Sequence, residues 1–157
     1  MKILVSDPIT EAGLAILKDA DLDVVYLPEA DPEEKRRAAE NVHGWIVRSG
    51  TKVSAEAINS AKHLTVIGRA GVGIDNIDLN AATRKGVVVM NTPDVNTISA
   101  AEHTIAMMLT LSRNIHMGHG GLEKGEWNRH QLVGTELKNK ILGVVGLGKI
   151  GRQVLER

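Results

Sequence analysis

Short apolar runs rich in β-branched residues alternate with helix-like stretches along most of the chain. The runs are Ile3-Leu4-Val5, Val24-Val25-Tyr26-Leu27, Trp45-Ile46-Val47, Leu64-Thr65-Val66-Ile67 and Val87-Val88-Val89-Met90. Between them lie Ile9 to Ala20, with an apolar stripe at Ile9, Ala12, Leu14, Ile16 and Leu17, then the charged Pro32 to Glu40, Ser54 to Ala61, and Leu79 to Lys85. This alternation constrains the fold more than any other feature. Strands joined through helices pair parallel, because parallel neighbours need a long crossover. Runs apolar at consecutive positions leave no face for water, so a sheet covered by helices on both sides is expected. The fold class is α/β.

The pattern changes at Asn96. Thr97 to Asn114 has no Gly or Pro and is apolar at Ile98, Ala101, Ile105, Met108, Leu109 and Leu111, which predicts one long helix. Ser99-x-x-Glu102 is a candidate capping box at its start, whereas Ser54-x-x-Ala57 lacks a full one. Gly118, Gly120-Gly121 and Gly125 read as a loop with a short helix. Ile141-Leu142-Gly143-Val144-Val145 is expected to be a further buried strand, followed by a helix from Ile150 to Arg157. The expectation is one complete α/β unit, Met1 to Val95, and the opening of a second.

Composition removes several function classes. Nineteen basic and nineteen acidic residues balance, so no net field draws in nucleic acid or an anionic membrane. Aromatics are confined to Tyr26, Trp45 and Trp127, which leaves almost no platform for stacking bases. There is no cysteine, hence no disulfide, thiolate nucleophile or Cys-bound zinc. No run approaches the roughly 18 apolar residues of a spanning helix, and the N-terminus lacks a signal-peptide core. A soluble cytoplasmic protein is the expectation.

Two constellations carry chemistry. Gly146-Leu147-Gly148-Lys149-Ile150-Gly151 follows the expected strand and opens the last helix. In that setting Gly146 makes the turn, Gly148 admits a pyrophosphate, and Gly151 lets helix and strand approach. The helix N-terminus then holds the phosphates. The second constellation is positional: Ser6-Asp7-Pro8, Arg48-Ser49-Gly50-Thr51, Gly68-Arg69-Ala70-Gly71-Val72-Gly73 and Asn91-Thr92-Pro93 all follow strands, so they share one sheet edge. Arg48 and Arg69 there suit a carboxylate or phosphate, and the amides of Ala70 to Gly73 form a candidate anion nest. The alternative is that both arginines pair with acids such as Asp75 and Asp78. The histidines read as structural or surface groups: His116-x-x-His119 lacks a third ligand, His103 is expected to be hydrogen-bonded on the long helix, and no metal site is nominated.

Five strings in this sequence resemble the D-isomer-specific 2-hydroxyacid dehydrogenases. They are Val47-Arg48-Ser49-Gly50-Thr51-Lys52-Val53, the Gly68 to Asp78 segment (Gly-Arg-Ala-Gly-Val-Gly-Ile-Asp-Asn-Ile-Asp), Asn91-Thr92-Pro93, Asn96 to Thr104, and the glycine string. The first two favour the phosphoglycerate branch. The resemblance implies a flavodoxin-like parallel-sheet substrate domain over residues 1–95. Residues 96–157 would then supply an interdomain helix, a subunit-contact loop and the first strand–turn–helix of an incomplete Rossmann NAD-binding domain. It implies NAD as cofactor and 3-phosphoglycerate as the small anionic substrate. Substrate-side residues by resemblance are Arg48, Arg69, Ala70, Gly71, Asn96 and Arg129, the last reaching a neighbouring subunit of a homodimer or homotetramer. Cofactor-side residues are Val72, Gly146, Gly148, Lys149, Ile150 and Gly151. The family's catalytic histidine, its carboxylate partner and its substrate-orienting arginine have no counterpart in these residues, so no catalytic residue is assigned and the chain alone is expected to be inactive. Two rival readings remain: a glyoxylate or hydroxypyruvate reductase of the same family, and a non-catalytic NAD-sensing module of the corepressor type.

Overall fold

The computed structural model describes residues 1–157, and their contacts divide the chain into two units, Met1–Val95 and Asn96–Arg157. In the first unit every helix starts on a side chain that satisfies a first-turn amide. Thr10 caps α1 (Glu11–Asp19), Asp31 caps α2 (Pro32–Ala39), Ser54 caps α3 (Ala55–Ser60) and Asp78 caps α4 (Leu79–Lys85). Ser54 does so without a capping-box partner, accepting from the Ala57 amide. Gly86 ends α4 at φ +74°, where an L side chain is strained. The Lys85 ammonium reaches across to the carbonyls of Ile58, Asn59 and Ala61, so one side chain closes the C-terminus of α3 and ties it to α4.

Between the helices run β1 (Lys2–Val5), β2 (Asp23–Tyr26), β3 (Gly44–Val47), β4 (Val66–Arg69) and β5 (Val88–Asn91), all parallel, in the order β2-β1-β3-β4-β5. This is the flavodoxin-like order. Side chains alternate across the sheet. Leu4, Trp45, Val47 and Ile67 pack with Ala39, Ala57, Ile58, Ala81 and Ala82 of α2, α3 and α4 in one buried cluster. The Trp45 indole N–H donates to Ser6 Oγ at 2.8 Å, so its single polar atom is satisfied inside the core.

The second face departs from the expected full cover. Ile46, opposite in direction to its neighbours Trp45 and Val47, lines a cleft of about 510 Å³ with Ile9, Gly13 and Leu17 of the α1 side. No residue of α1 is fully buried, and Ile16 of its apolar stripe is 70% exposed. Val88 and Met90 on the β5 edge are exposed as well. One face is sealed by α2, α3 and α4, and α1 alone covers too little of the other.

In the second unit α5 (Thr97–Ser112) packs against α7 (Lys149–Glu156), burying Ala101 and Val154, and the Arg157 guanidinium meets Glu102 at 3.6 Å. Between them lie α6 (Ile115–Glu123) and a 3-10 turn at Arg129–Gln131. Four expectations are corrected. No capping box forms at Ser99: α5 begins one turn earlier, after Asn96, and the Ser99 hydroxyl donates back to the Asn96 carbonyl. The short helix expected near the glycine cluster is α6, but it takes in Gly118, Gly120 and Gly121, and only Gly125, at φ +74°, turns the chain after it. The His103 side chain is exposed on α5 and has no hydrogen-bond partner. Ile141 to Val145 forms no strand; Ile141 and Val145 are fully exposed. An extended segment needs a neighbour to take its N–H and C=O groups, and no other segment pairs with this one. No helix is long and apolar enough to cross a membrane.

Candidate anion-binding site at the carboxyl edge of the sheet

In an open parallel sheet, ligands settle outside the carboxyl ends of the strands where the strand order reverses. Here that point lies between β1 and β3, and the segments following them are Ser6-Asp7-Pro8 and Arg48-Ser49-Gly50-Thr51. Asp7 is 3% exposed and holds the second segment in place. Its carboxylate accepts from the Arg48 amide at 2.5 Å, the Thr51 amide at 3.1 Å and the Thr51 hydroxyl at 2.9 Å, with Lys35 Nζ 4.0 Å away. A β-carbon on Gly50 would stand 2.8 Å from Asp7 Oδ1, so this close approach requires glycine. Thr51 shares its hydroxyl with Ser6, which completes a buried network that starts at Trp45.

The loop after β4 is laced to the loop after β3. Val53 and Ile77 form an isolated parallel bridge, in which the Val53 amide donates to the Asn76 carbonyl at 2.8 Å. The Asn76 side chain donates to the carbonyls of Arg48 and Thr51, each at 2.6 Å, and accepts from Arg69 Nε at 2.9 Å. Arg48, just past the end of β3, and Arg69, the last residue of β4, are therefore flanked by loops that hold each other.

Neither guanidinium is in an ion pair. Arg48 is exposed and donates from Nη1 to the Pro8 carbonyl at 3.2 Å. Arg69 lies over Gly71, whose absent β-carbon would stand 2.5 Å from Arg69 Nη1. The proposed acid partners are used otherwise: Asp78 caps α4 by accepting from the Ala81 amide at 2.8 Å, and Asp75 is exposed. The nest is narrower than the sequence suggested. The Ala70 amide donates to the Val47 carbonyl and the Gly71 amide to the Arg69 carbonyl, which leaves the amides of Val72 and Gly73. The Val72 carbonyl accepts from Asn91 Nδ2, fixing the loop against the end of β5. The cleft beside Ile46 opens at this edge, with Arg48, Ala70 and Thr92 on its rim.

In the second unit the glycine string has the geometry of a phosphate turn but not the expected strand before it. Gly146 sits at φ +98°, and a β-carbon on Gly151 would collide with the Gly146 carbonyl oxygen, so turn and helix close directly on each other. A β-carbon on Gly148 would meet nothing within 4 Å. Gly148 is the N-cap of α7, and no side chain caps that helix, so the first turn around Lys149, Ile150 and Gly151 suits an anion. These residues fit a dinucleotide pyrophosphate. Asn96 stands exposed at the start of α5 with its side chain outside the cap bonding, and Arg129 is exposed in the 3-10 turn. The sequence put Asp7 at the sheet edge and Asn76 in a family-like string but gave neither a role. Asp7 bonds residues 41 to 44 positions away, and Asn76 bonds Arg48 and Thr51 at 28 and 25 positions besides Arg69 at seven, and no periodicity marks such polar loop residues.

Comparison with known proteins is consistent over nearly the whole chain. D-3-phosphoglycerate dehydrogenase of Sus scrofa is 48% identical over 99% of this chain and 29% of its own length. The enzyme of the same name from Archaeoglobus fulgidus is 46% identical over 100% of this chain and 30% of its own. The chain thus spans less than a third of these relatives. Among solved structures, the NAD-dependent formate dehydrogenase of Staphylococcus aureus, determined in complex with NAD, superposes with a TM-score of 0.88 at 30% identity, over 99% of this chain and 52% of that one. The pattern of the D-isomer specific 2-hydroxyacid dehydrogenase catalytic domain matches residues 3–154. With a parallel sheet in flavodoxin order, arginines at its carboxyl edge and that match, the chain belongs to the D-isomer specific 2-hydroxyacid dehydrogenase family.

Proposed function

We propose that the first unit is the substrate-binding portion of an NAD-dependent D-3-phosphoglycerate dehydrogenase, and that the second contributes the start of its NAD-binding part. The observation that carries this is the pair of guanidinium groups, Arg48 and Arg69, free of ion pairs at the carboxyl ends of the adjacent strands β3 and β4, whose following loops interlock. 3-Phospho-D-glycerate carries a carboxylate and a phosphate, and two planar forks suit two anionic groups. The Val72 and Gly73 amides add donors beside Arg69, and Ala70 and Gly71 form the floor of that loop. Asn96 and Arg129 complete the substrate side in this reading, with Arg129 reaching the neighbouring subunit of a cytoplasmic homodimer or homotetramer. Bound NAD supplies the hydride acceptor for the C2 carbon. Gly146, Gly148, Lys149, Ile150 and Gly151 would hold its pyrophosphate, and Val72 is assigned to the cofactor by the family resemblance alone. The histidine that resemblance would assign as proton acceptor has no counterpart among these residues, so in this reading the 157 residues bind substrate without turning it over.

Calorimetric titration of the chain with 3-phospho-D-glycerate and with D-glycerate tests this. A charge-assisted hydrogen bond contributes roughly 1.5–3 kcal/mol, so Arg48→Ala and Arg69→Ala should each weaken binding of the phosphorylated acid by about tenfold to a hundredfold. Unchanged affinity in both variants would remove the anion role. Equal affinity for the two acids would favour the glyoxylate or hydroxypyruvate reductase reading instead.

A further inference from the structure

We propose that Asn76 is a positioning residue that sets both anion-binding arginines at once. The inference rests on the reading of Arg48 and Arg69 as the substrate grip and extends it to the group that fixes their spacing. One primary amide serves three partners. Its oxygen accepts from Arg69 Nε at 2.9 Å, and its nitrogen donates to the carbonyls of Arg48 and Thr51, each at 2.6 Å. Turning the amide over would set donor against donor and oxygen against two carbonyls, so the network itself fixes the orientation.

The consequences differ for the two arginines. For Arg69, occupying Nε holds the guanidinium plane while leaving both terminal nitrogens available to a ligand. For Arg48, the loop is gripped from two sides: Asp7 takes the amides of Arg48 and Thr51, and Asn76 takes their carbonyls. Asn76 is itself anchored, because its own carbonyl accepts from the Val53 amide. Aspartate at this position would keep the acceptor for Arg69 but lose both donors. It would also put a negative charge beside the guanidinium meant for an anion. Asparagine alone combines one acceptor and two donors at this reach.

The test is a double-mutant cycle on the full chain, titrated with 3-phospho-D-glycerate, together with the ¹⁵Nε–H resonance of Arg69. N76A should weaken binding about tenfold, the loss expected for one hydrogen bond to a charged group. In an R69A background the same change should cost less than about threefold, because the two residues then no longer act through each other. The Arg69 Nε–H resonance should shift on N76A and persist on N76D, whereas anion affinity should fall in both. Equal losses in the two backgrounds would reduce Asn76 to general loop support and overturn the proposal. So would an Nε–H resonance unaltered by N76A, or an N76D chain that binds as tightly as the wild type. If R48A and R69A leave affinity untouched, the substrate reading fails on its own, and the resonance still decides whether Asn76 holds Arg69.

Discussion

Two apolar runs of similar composition meet opposite fates in this molecule. Ile3-Leu4-Val5 is buried in the sheet, whereas Ile141-Leu142-Gly143-Val144-Val145 forms no strand and leaves Ile141 and Val145 in solvent. β1 has β2 on one side and β3 on the other, and the later run has no neighbour. Strand structure is a property of pairs, so β-branched composition alone does not create it. The helices divide in the same way. All four in the first unit are capped by a side chain three residues before the amide it satisfies. None of the three α-helices in the second unit has a side-chain cap. The first unit is specified locally and by long-range pairing together, while the second depends on α5 meeting α7.

Substitutions in the paired sheet and in the unpaired run should widen or close that gap. The largest effect is expected in the core: Trp45→Ala should lose about 3–5 kcal/mol of stability, with Ser6 also losing its indole donor, whereas Val145→Ala should stay within about 0.5 kcal/mol. Urea midpoints measure both, and comparable shifts would break the contrast between a paired and an unpaired run. Next come the caps. Asp31→Ala and Asp78→Ala should each cost about 1 kcal/mol, and Asn96→Ala almost nothing, by thermal or urea unfolding. A cost at Asn96 equal to that at Asp78 would show that the second unit hides a cap of its own.

The smallest effect sharpens the comparison from within α2. Arg36 hydrogen-bonds Glu33 at 2.7 Å, with Arg37 adding a second contact, and holds its carboxyl near 2 rather than 4.5. A lowered folded-state value means that the unfolded chain takes up the proton first as pH falls. The contribution is therefore present above about pH 4.5 and disappears as the pH approaches about 2. Glu33→Gln should be slightly less stable than wild type near neutrality and indistinguishable near the acid end of that window. A difference that persists unchanged into acid would mean that Glu33 acts through packing rather than charge.

The elements legible in the sequence were those whose signal is local. α4 spans Leu79–Lys85 as its pattern indicates, and the β strands fall within two residues of their apolar runs. β4 is the least accurate: Leu64 is buried with the core, but its amide closes a turn onto Ala61 and the ladder begins at Val66. The arginines at the sheet edge were legible because strand ends can be read from the same runs. What held them was not. Asp7 and Asn76 look like ordinary turn residues, and apart from the Asn76 contact to Arg69 their partners become neighbours only when the parallel sheet brings distant loops to one edge. The stripe on α1 misled for the opposite reason, since amphipathic spacing reports a face able to be buried and not whether anything covers it.

The strand order also fixes a sequence of events during synthesis. β1 leaves the ribosome first and is joined on one edge by β2; its other edge waits for β3, and β4 and β5 then append outward in turn. No later strand has to insert between two that are already paired, so the sheet grows by addition at a single open edge. At roughly 5–20 residues per second, the interval between Val5 and Gly44 is on the order of 2–8 s. Through that interval the β1 edge destined for β3 is an unfilled template, and a nascent neighbour on the same message is the nearest strand that could occupy it wrongly.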